Sequence, residues 1–362
     1  GLAAGKESHP LRRAVVIAVL FSLAGCGQSG VSSSAGVAPP AVTRADLGNL
    51  VISGIRGTRA SATLKRRVRR GDVAGVIVMG ENIKSVEQIR SLTRTLAKAA
   101  KAGGQLTPIV MVDQEGGSVK RFASAAPKRS ARSMSRLSES AIQRIGRSTA
   151  RDLRARGVNV DLAPVADVKT KRSNFLGTRA FGGDPGGVAS DACAFAAGLT
   201  AGGVGATLKH FPGLGAAGDV NTDDGSVTIN ASRAVIEAGW VPYTRCANEP
   251  NTLVMVSSAK YPKVYGSRQA VVNPAMYNDL RRKVGFDGVV VTDALNAVAV
   301  KRIRSLPTRA VAAGADLLLY LDERNAARAT SALRRALAAG TITQDHVADS
   351  VNRVKQLRAE LP

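Results

Sequence analysis

Gly285-Phe286-Asp287-Gly288-Val289-Val290-Val291-Thr292-Asp293 is the stretch on which the fold turns. Its valine run reads as a short strand buried on both faces, the kind found in parallel sheets covered by helices. The strand ends on a carboxylate, followed by Ala294-Leu295-Asn296. Seven more short apolar runs have the same character: Leu50–Ile52, Val76–Met79, Ile109–Val112, Val158–Leu162, Ala206–Leu208, Leu253–Val256 and Leu317–Tyr320. Segments with helical spacing lie between them, at Val86–Ala102, Glu139–Arg156, Val188–Ala201, Ser232–Ala247, Pro274–Val284 and Asn325–Ala339. Eight strands alternating with helices over roughly 300 residues predict one α/β domain, a (β/α)8 TIM-type barrel. An open, doubly wound sheet is the competing arrangement.

Polar residues cluster where these runs end. Asp113 closes the third, Asp161 and Asp167 flank the fourth, and Lys209 and His210 follow the fifth. Ser257 and Ser258 follow the sixth and Asp293 the seventh. In a barrel, all of these positions converge on the C-terminal rim, where active sites lie. Unrelated strand-end caps are the plainer explanation for any one of them, but a poor one for the set.

Three segments carry a resemblance. Val112-Asp113-Gln114-Glu115-Gly116-Gly117, Lys209-His210-Phe211-Pro212-Gly213 and Gly285 through Asp293 resemble glycoside hydrolase family 3. Within it, the arrangement is similar to bacterial β-N-acetylglucosaminidases that lack a second domain. Ala163-Pro164-Val165-Ala166-Asp167-Val168 and Gly177-Thr178-Arg179-Ala180-Phe181-Gly182 support it, in the family's order. The resemblance implies an exo-acting, retaining enzyme that removes terminal β-linked N-acetylglucosamine from cell-wall peptidoglycan fragments or related glycans. It makes Asp293 the nucleophile that attacks the anomeric carbon and forms a glycosyl-enzyme. It assigns Asp113, Arg121, Arg179, Lys209 and His210 to holding the sugar, which suits carboxylate acceptors and guanidinium forks facing hydroxyls. Ser118 stands where the family commonly has Arg after Glu-Gly-Gly, and Glu115 reads as structural. The resemblance implies no metal or organic cofactor.

The loop after Lys209-His210 departs from the family. Relatives carry an Asp-Ser-His there, whose His protonates the leaving oxygen. This chain reads Leu214-Gly215-Ala216-Ala217-Gly218-Asp219-Val220-Asn221-Thr222-Asp223-Asp224, with no histidine. Setting Asn221-Thr222-Asp223 against that triplet places Asp223 as general acid/base, with Asn221 as its companion. A pKa raised toward 6 or more, helped by Asp224, is then expected. Setting Asp219-Val220-Asn221 against it leaves an Asn that cannot transfer a proton. A non-catalytic wall-glycan-binding protein, or another β-glycosidase or phosphorylase of the family, is the alternative reading.

Residues 1–25 read as a signal segment. Arg12 and Arg13 precede an apolar run from Ala14 to Leu23, too short to span a bilayer comfortably. Leu23-Ala24-Gly25-Cys26 resembles a lipoprotein lipobox, implying export and acylation of Cys26, hence a membrane partner through a lipid anchor. A Gly/Ser/Pro-rich tether follows over 26–41, and the barrel is expected over 42–362. In an oxidising compartment, Cys193 and Cys246 are either a disulfide or two buried thiols.

Composition narrows the rest. Three histidines and three cysteines leave little material for a metal site. A net charge of +24 attracts polyanions, yet the charges are scattered and read as an Arg-rich solvated surface. Only 4% of residues are aromatic, which leaves few stacking platforms for nucleic-acid bases, so no nucleic-acid partner is expected. The chain is expected to be a monomer acting on carbohydrate.

Overall fold

The computed structural model describes residues 42–43, 45–170 and 175–362. The signal segment, Cys26 and the whole tether lie outside the described residues. Eight parallel strands form one sheet: β1 (Val51–Ser53), β2 (Gly75–Val78), β3 (Ile109–Val112), β4 (Val160–Asp161), β5 (Gly205–Phe211), β6 (Thr252–Val256), β7 (Val290–Thr292) and β8 (Leu318–Leu319). Their order around the sheet is their order in the chain, and β8 also pairs with β1. The ring closes between β7 and β8 through the Val291–Leu317 bridge, with Thr292 N donating to Leu317 O at 2.9 Å. The open-sheet alternative is thereby excluded.

Burial on both faces now has a concrete form. Along β3, Ile109 and Met111 belong to one apolar cluster and Val110 and Val112 to another. The same split separates Leu253 and Met255 from Val254 and Val256, and Ile77 from Val76 and Val78. The first set fills the barrel and the second meets the helices, as period-two side-chain geometry requires.

The helices are α1 (Ala62–Arg69), α2 (Val86–Ala102), α3 (Glu139–Arg154), α4 (Pro185–Ala201), α5 (Arg233–Ala238), α6 (Val241–Cys246), α7 (Pro274–Arg282), α8 (Leu306–Ala313), α9 (Glu323–Ala338) and α10 (Gln344–Glu360), with single turns elsewhere. In α2, Ser85 caps Gln88 N while Ile89, Leu92, Leu96 and Ala100 face the core. α3 and α4 pack backbone to backbone: a Cβ added at Gly198 would stand 2.2 Å from Gln143 O. The segment expected to be one helix over Ser232–Ala247 is two, because Gly239 and Trp240 interrupt it and Pro242 restarts it. Val354 and Leu357 of α10, with Leu361 just after it, join the cluster that fills the barrel. Cys193 on α4 and Cys246 on α6 form a disulfide, so of the two states left open the structure takes the bonded one.

Candidate active site

The alternation that fills the barrel also aims its rim residues. Two positions beyond inward Met111 comes Asp113, and two beyond inward Val291 comes Asp293. β5 carries an irregularity between Lys209 and Phe211, where the pairing moves only from Met255 to Val256. One extra residue in one strand re-aims side chains at a barrel mouth, and here Lys209 and His210 both reach the same cavity.

That cavity, ≈ 230 Å³, is lined by Asp113, Glu115, Arg121, Arg179, Lys209, His210, Asn221, Thr222, Asp223 and Asp293. Every residue of the folded chain singled out from sequence for catalysis or sugar binding is therefore in one place. Phe175, Met255, Leu162 and Leu321 supply apolar wall. The volume is below the ~300–1,000 Å³ of common small-molecule clefts, which suits a single sugar ring.

Glu115, expected to be structural, is the hub of the charged wall. Arg179 donates to it bidentately, with Nε and Nη2 each 2.8 Å from a carboxylate oxygen. Lys209 Nζ lies 2.7 Å from Glu115 Oε1 and 3.0 Å from Asp113 Oδ1. Arg121 Nη2 completes the chain at 3.1 Å from Asp113 Oδ2. Burial pushes the Glu115 carboxyl up, but the charges of Lys209 and Arg179 outweigh it and hold the group at about 2. Asp113 is likewise lowered: burial and Glu115 raise it, while Lys209 and Arg121 lower it more. Burial depresses Lys209, but Glu115 and Asp113 raise it further, so the ammonium stays charged. The hairpin that brings Asp113, Glu115 and Arg121 together turns at Gly116 and Gly117, with φ of +93° and +57°. Side-chain-bearing residues are strained there.

His210 is held from behind. Its Nδ1 lies 2.8 Å from Asp167 Oδ2, and Asp167 Oδ1 accepts from the backbone N–H groups of His210 and Leu214. A carboxylate only accepts, so Nδ1 carries the hydrogen and Nε2 is the atom left for a ligand. Asp167 is fully buried and does not line the cavity. Nor do Asp161, Ser257 and Ser258, which corrects the expectation that all strand-end polar groups open into one mouth. Asp161 follows inward Val160 by one residue and points the other way, accepting from Gln114 N at 3.0 Å. Burial pushes it up to about 8.

Asp293 Oδ1 accepts from Ala294 N at 2.8 Å, and Oδ2 accepts from Thr222 Oγ1 at 3.4 Å. Its pKa is raised by burial first and by the Asp223 charge; His210, the Ala294 N–H and Lys209 oppose this. The divergent loop docks beside it: Ala299 N donates to Thr222 O and Val298 N to Asp223 O, each at 3.3 Å. Asn221 Nδ2 donates to Asp223 Oδ2 at 3.1 Å. Asn221, Thr222 and Asp223 line the cavity, whereas Asp219, Val220 and Asp224 do not. Sequence reasoning missed Thr222 and undervalued Glu115. The only signal for either was its place inside a segment already suspected.

Comparison with known proteins follows the same lines. The family model described as the glycosyl hydrolase family 3 N terminal domain matches residues 42–357. An "Uncharacterized secreted glycosyl hydrolase" of Arthroderma benhamiae is 33% identical over 90% of this chain and 97% of its own length. A "Beta-hexosaminidase LpqI" of Mycobacterium tuberculosis is 31% identical over 84% of this chain and 81% of its own. The structure of a glycoside hydrolase family 3 beta-N-acetylglucosaminidase from Paenibacillus sp. str. FPU-7 superposes with a TM-score of 0.82 at 27% identity, over 88% of this chain. This chain spans 62% of that one.

Proposed function

The chain belongs to glycosyl hydrolase family 3, and from that premise we propose that it is a retaining exo-β-N-acetylglucosaminidase acting on wall-derived glycans outside the cell. The observation that carries the reading is the meeting, in one single-sugar cavity, of Asp293 with the Arg121–Asp113–Lys209–Glu115–Arg179 network. The names of the Mycobacterium and Paenibacillus relatives, a beta-hexosaminidase and a beta-N-acetylglucosaminidase, support the sugar specificity. The basic and apolar N-terminal segment and the name of the Arthroderma relative, a secreted glycosyl hydrolase, support export. Acylation at Cys26, with a membrane anchor, is part of the same proposal.

Asp293 attacks C1 of the bound sugar. Its flanking hydrogen bonds hold the carboxylate in place, and rigid placement is where much of such a rate comes from. The charged network and His210 Nε2 meet the hydroxyls, and offer ionic partners in a dry wall where hydrogen bonds are strong. Asp223 donates the proton to the leaving oxygen, then accepts one from the incoming water. Asn221, 3.1 Å from its carboxylate, orients it.

Turnover of 4-nitrophenyl β-N-acetylglucosaminide, and mass spectrometry after reaction with a fluorinated N-acetylglucosamine donor, test this directly. A covalent label on Asp293 is expected. Turnover without any adduct there would remove the nucleophile assignment. Asp223→Asn should slow a natural disaccharide by ~10²–10⁴-fold, the usual worth of general acid help, and an activated aryl glycoside far less. Equal rates of wild type and variant on the disaccharide would end the acid/base assignment. Failure of the wild type to turn over either substrate, with wall fragments still bound, would favour a glycan-binding protein instead.

A further inference from the structure

The net charge is not evenly spread over the folded chain. Residues 56–105 carry twelve Lys and Arg against three Asp and Glu, so nine of the 24 net positive charges lie in 50 of 362 residues. This stretch contains α1 and α2. Both run back from the catalytic rim to the N-terminal end of the barrel, since each is followed by the start of the next strand. Their last turns touch: Gly103, which ends α2, lies against the Arg69 carbonyl with no room for a Cβ. Arg66, Arg69 and Arg70 at the end of α1, and Lys98 and Lys101 at the end of α2, are exposed there. Arg94 of α2 and Arg154 of α3 are exposed too, and line a cavity beside Pro108, just before β3.

None of these seven cations forms an ion pair among the described residues. Three carboxylates close to them in the chain are taken by other cations: Asp46 by Lys355, Asp72 by Arg334 and Asp152 by Arg151. A cation in a helix's last turn is favoured by the macrodipole. Seven on three adjacent helices also repel one another, which works against the compact state. The opposite side of the ring has the other sign. Glu249, Asp287 and Glu360, also without ion pairs, surround a cavity under the starts of β6 and β7. The chain enters the barrel on the basic side, where Gly48 packs on the carbonyl of Gly71, the residue after Arg70.

We infer that the ends of α1, α2 and α3 form a docking surface for an anionic lipid bilayer, which holds the barrel on this edge with the sugar cavity facing away. Unpaired guanidinium and ammonium groups are the complement of lipid phosphates, and each gains from the potential of an anionic surface. The acidic side, across the ring, sets the tilt. Fifteen residues separate Cys26 from Val42, at most ~50 Å of chain, so an acylated Cys26 keeps this face within reach of the bilayer. The inference goes beyond the glycosidase reading and does not depend on it.

The test is a lipid titration read by vesicle sedimentation, on the chain from residue 26 onward with Cys26→Ser, which keeps the tether and the whole barrel without an acyl group. Vesicles of phosphatidylcholine alone are compared with vesicles holding roughly 30% phosphatidylglycerol. Each cation at an anionic surface gives about a fivefold gain, so three in contact at a time give partitioning on the order of 100-fold tighter to the anionic vesicles. Salt at roughly 0.5 M should remove most of that preference. Arg66→Gln, Arg69→Gln, Arg70→Gln, Lys98→Gln and Lys101→Gln together should bring it below about tenfold without lowering the urea midpoint. Lys301→Gln, Arg302→Gln, Arg304→Gln, Arg324→Gln and Arg328→Gln remove the same charge from the catalytic end, after β7 and at the start of α9. That second variant should stay within about threefold of wild type. Equal partitioning into both kinds of vesicle, or equal loss in the two variants, overturns the inference. So does a soluble glycerol-phosphate polymer that binds as tightly per phosphate as the anionic vesicles, which assigns the face to a wall polymer instead. Should the first variant fail to fold, Arg69→Gln with Arg70→Gln, and Lys98→Gln with Lys101→Gln, carry the test as separate pairs. Each pair should lower the preference at least about fivefold, and no change in either overturns the inference.

Discussion

Replacing Glu115 by Gln removes one negative charge and almost no volume from the most heavily charged part of the site. In the native protein this carboxylate has a bidentate partner in Arg179 and a second cation in Lys209 at 2.7 Å. Its side chain is 4% exposed, so solvent screens it little. The carboxyl falls from an ordinary 4.5 to about 2. That difference of about 2.5 pH units, at ~1.36 kcal/mol each, gives about 3 kcal/mol favouring the charged form. The figure agrees with the ~3–5 kcal/mol typical of removing one partner from a buried pair. Glu115→Gln should therefore destabilise the protein by about 3 kcal/mol at pH 7, read as a lower urea midpoint at unchanged slope. A depressed pKa places this contribution above the unfolded value and removes it as pH falls toward the folded one. The gap between wild type and variant should thus narrow by about 1.4 kcal/mol per pH unit below about 4.5. KM for the aryl glycoside should rise, because Lys209 and Arg179 lose the carboxylate that positions them. A loss under about 1 kcal/mol at pH 7, or a gap that is the same at pH 7 and 3.5, would refute the reasoning.

Other expectations are as specific. Because burial and the Asp223 charge both raise Asp293, the acidic limb of kcat/KM should lie above the usual Asp range of about 4. An acidic limb at or below about 4 would contradict that cause. Asp161→Asn keeps an acceptor for Gln114 N and removes a carboxyl that burial lifts to about 8. The raised pKa means the wild type is penalised progressively as pH rises from about 4 through 8, by at most about 6 kcal/mol. The variant should be the more stable at pH 8–9 in urea titrations, and equal or lower stability there would count against a strained buried carboxyl. Cys193→Ser with Cys246→Ser opens a crosslink spanning 53 residues of sequence, which chain-entropy arguments value at about 4 kcal/mol. An unchanged thermal midpoint for the double variant would mean that packing of α4 on α6 suffices alone.

Much of this protein was readable from its chain before any geometry. Eight short β-branched runs separated by amphipathic segments specify parallel strands covered by helices, because a two-sided apolar strand is stable only with apolar groups over both faces; closure into a ring, against an open sheet, was decided by the β7–β8 bridge. The polar residues that end several of these runs, Asp113 and Asp293 among them, also mark the rim of the barrel. What local sequence does not carry is which charges from distant segments come to share one wall. Glu115 is paired with Arg179 and Lys209, 64 and 94 positions along the chain, and Thr222 reaches Asp293 across 71. Periodicity likewise did not show that Asp161 turns away, that Asp167 works from behind His210, or that Cys193 meets Cys246. Each of those outcomes depends on how strands and loops are juxtaposed once the ring closes, and electrostatic interaction falls off with distance in space, not with separation along the chain.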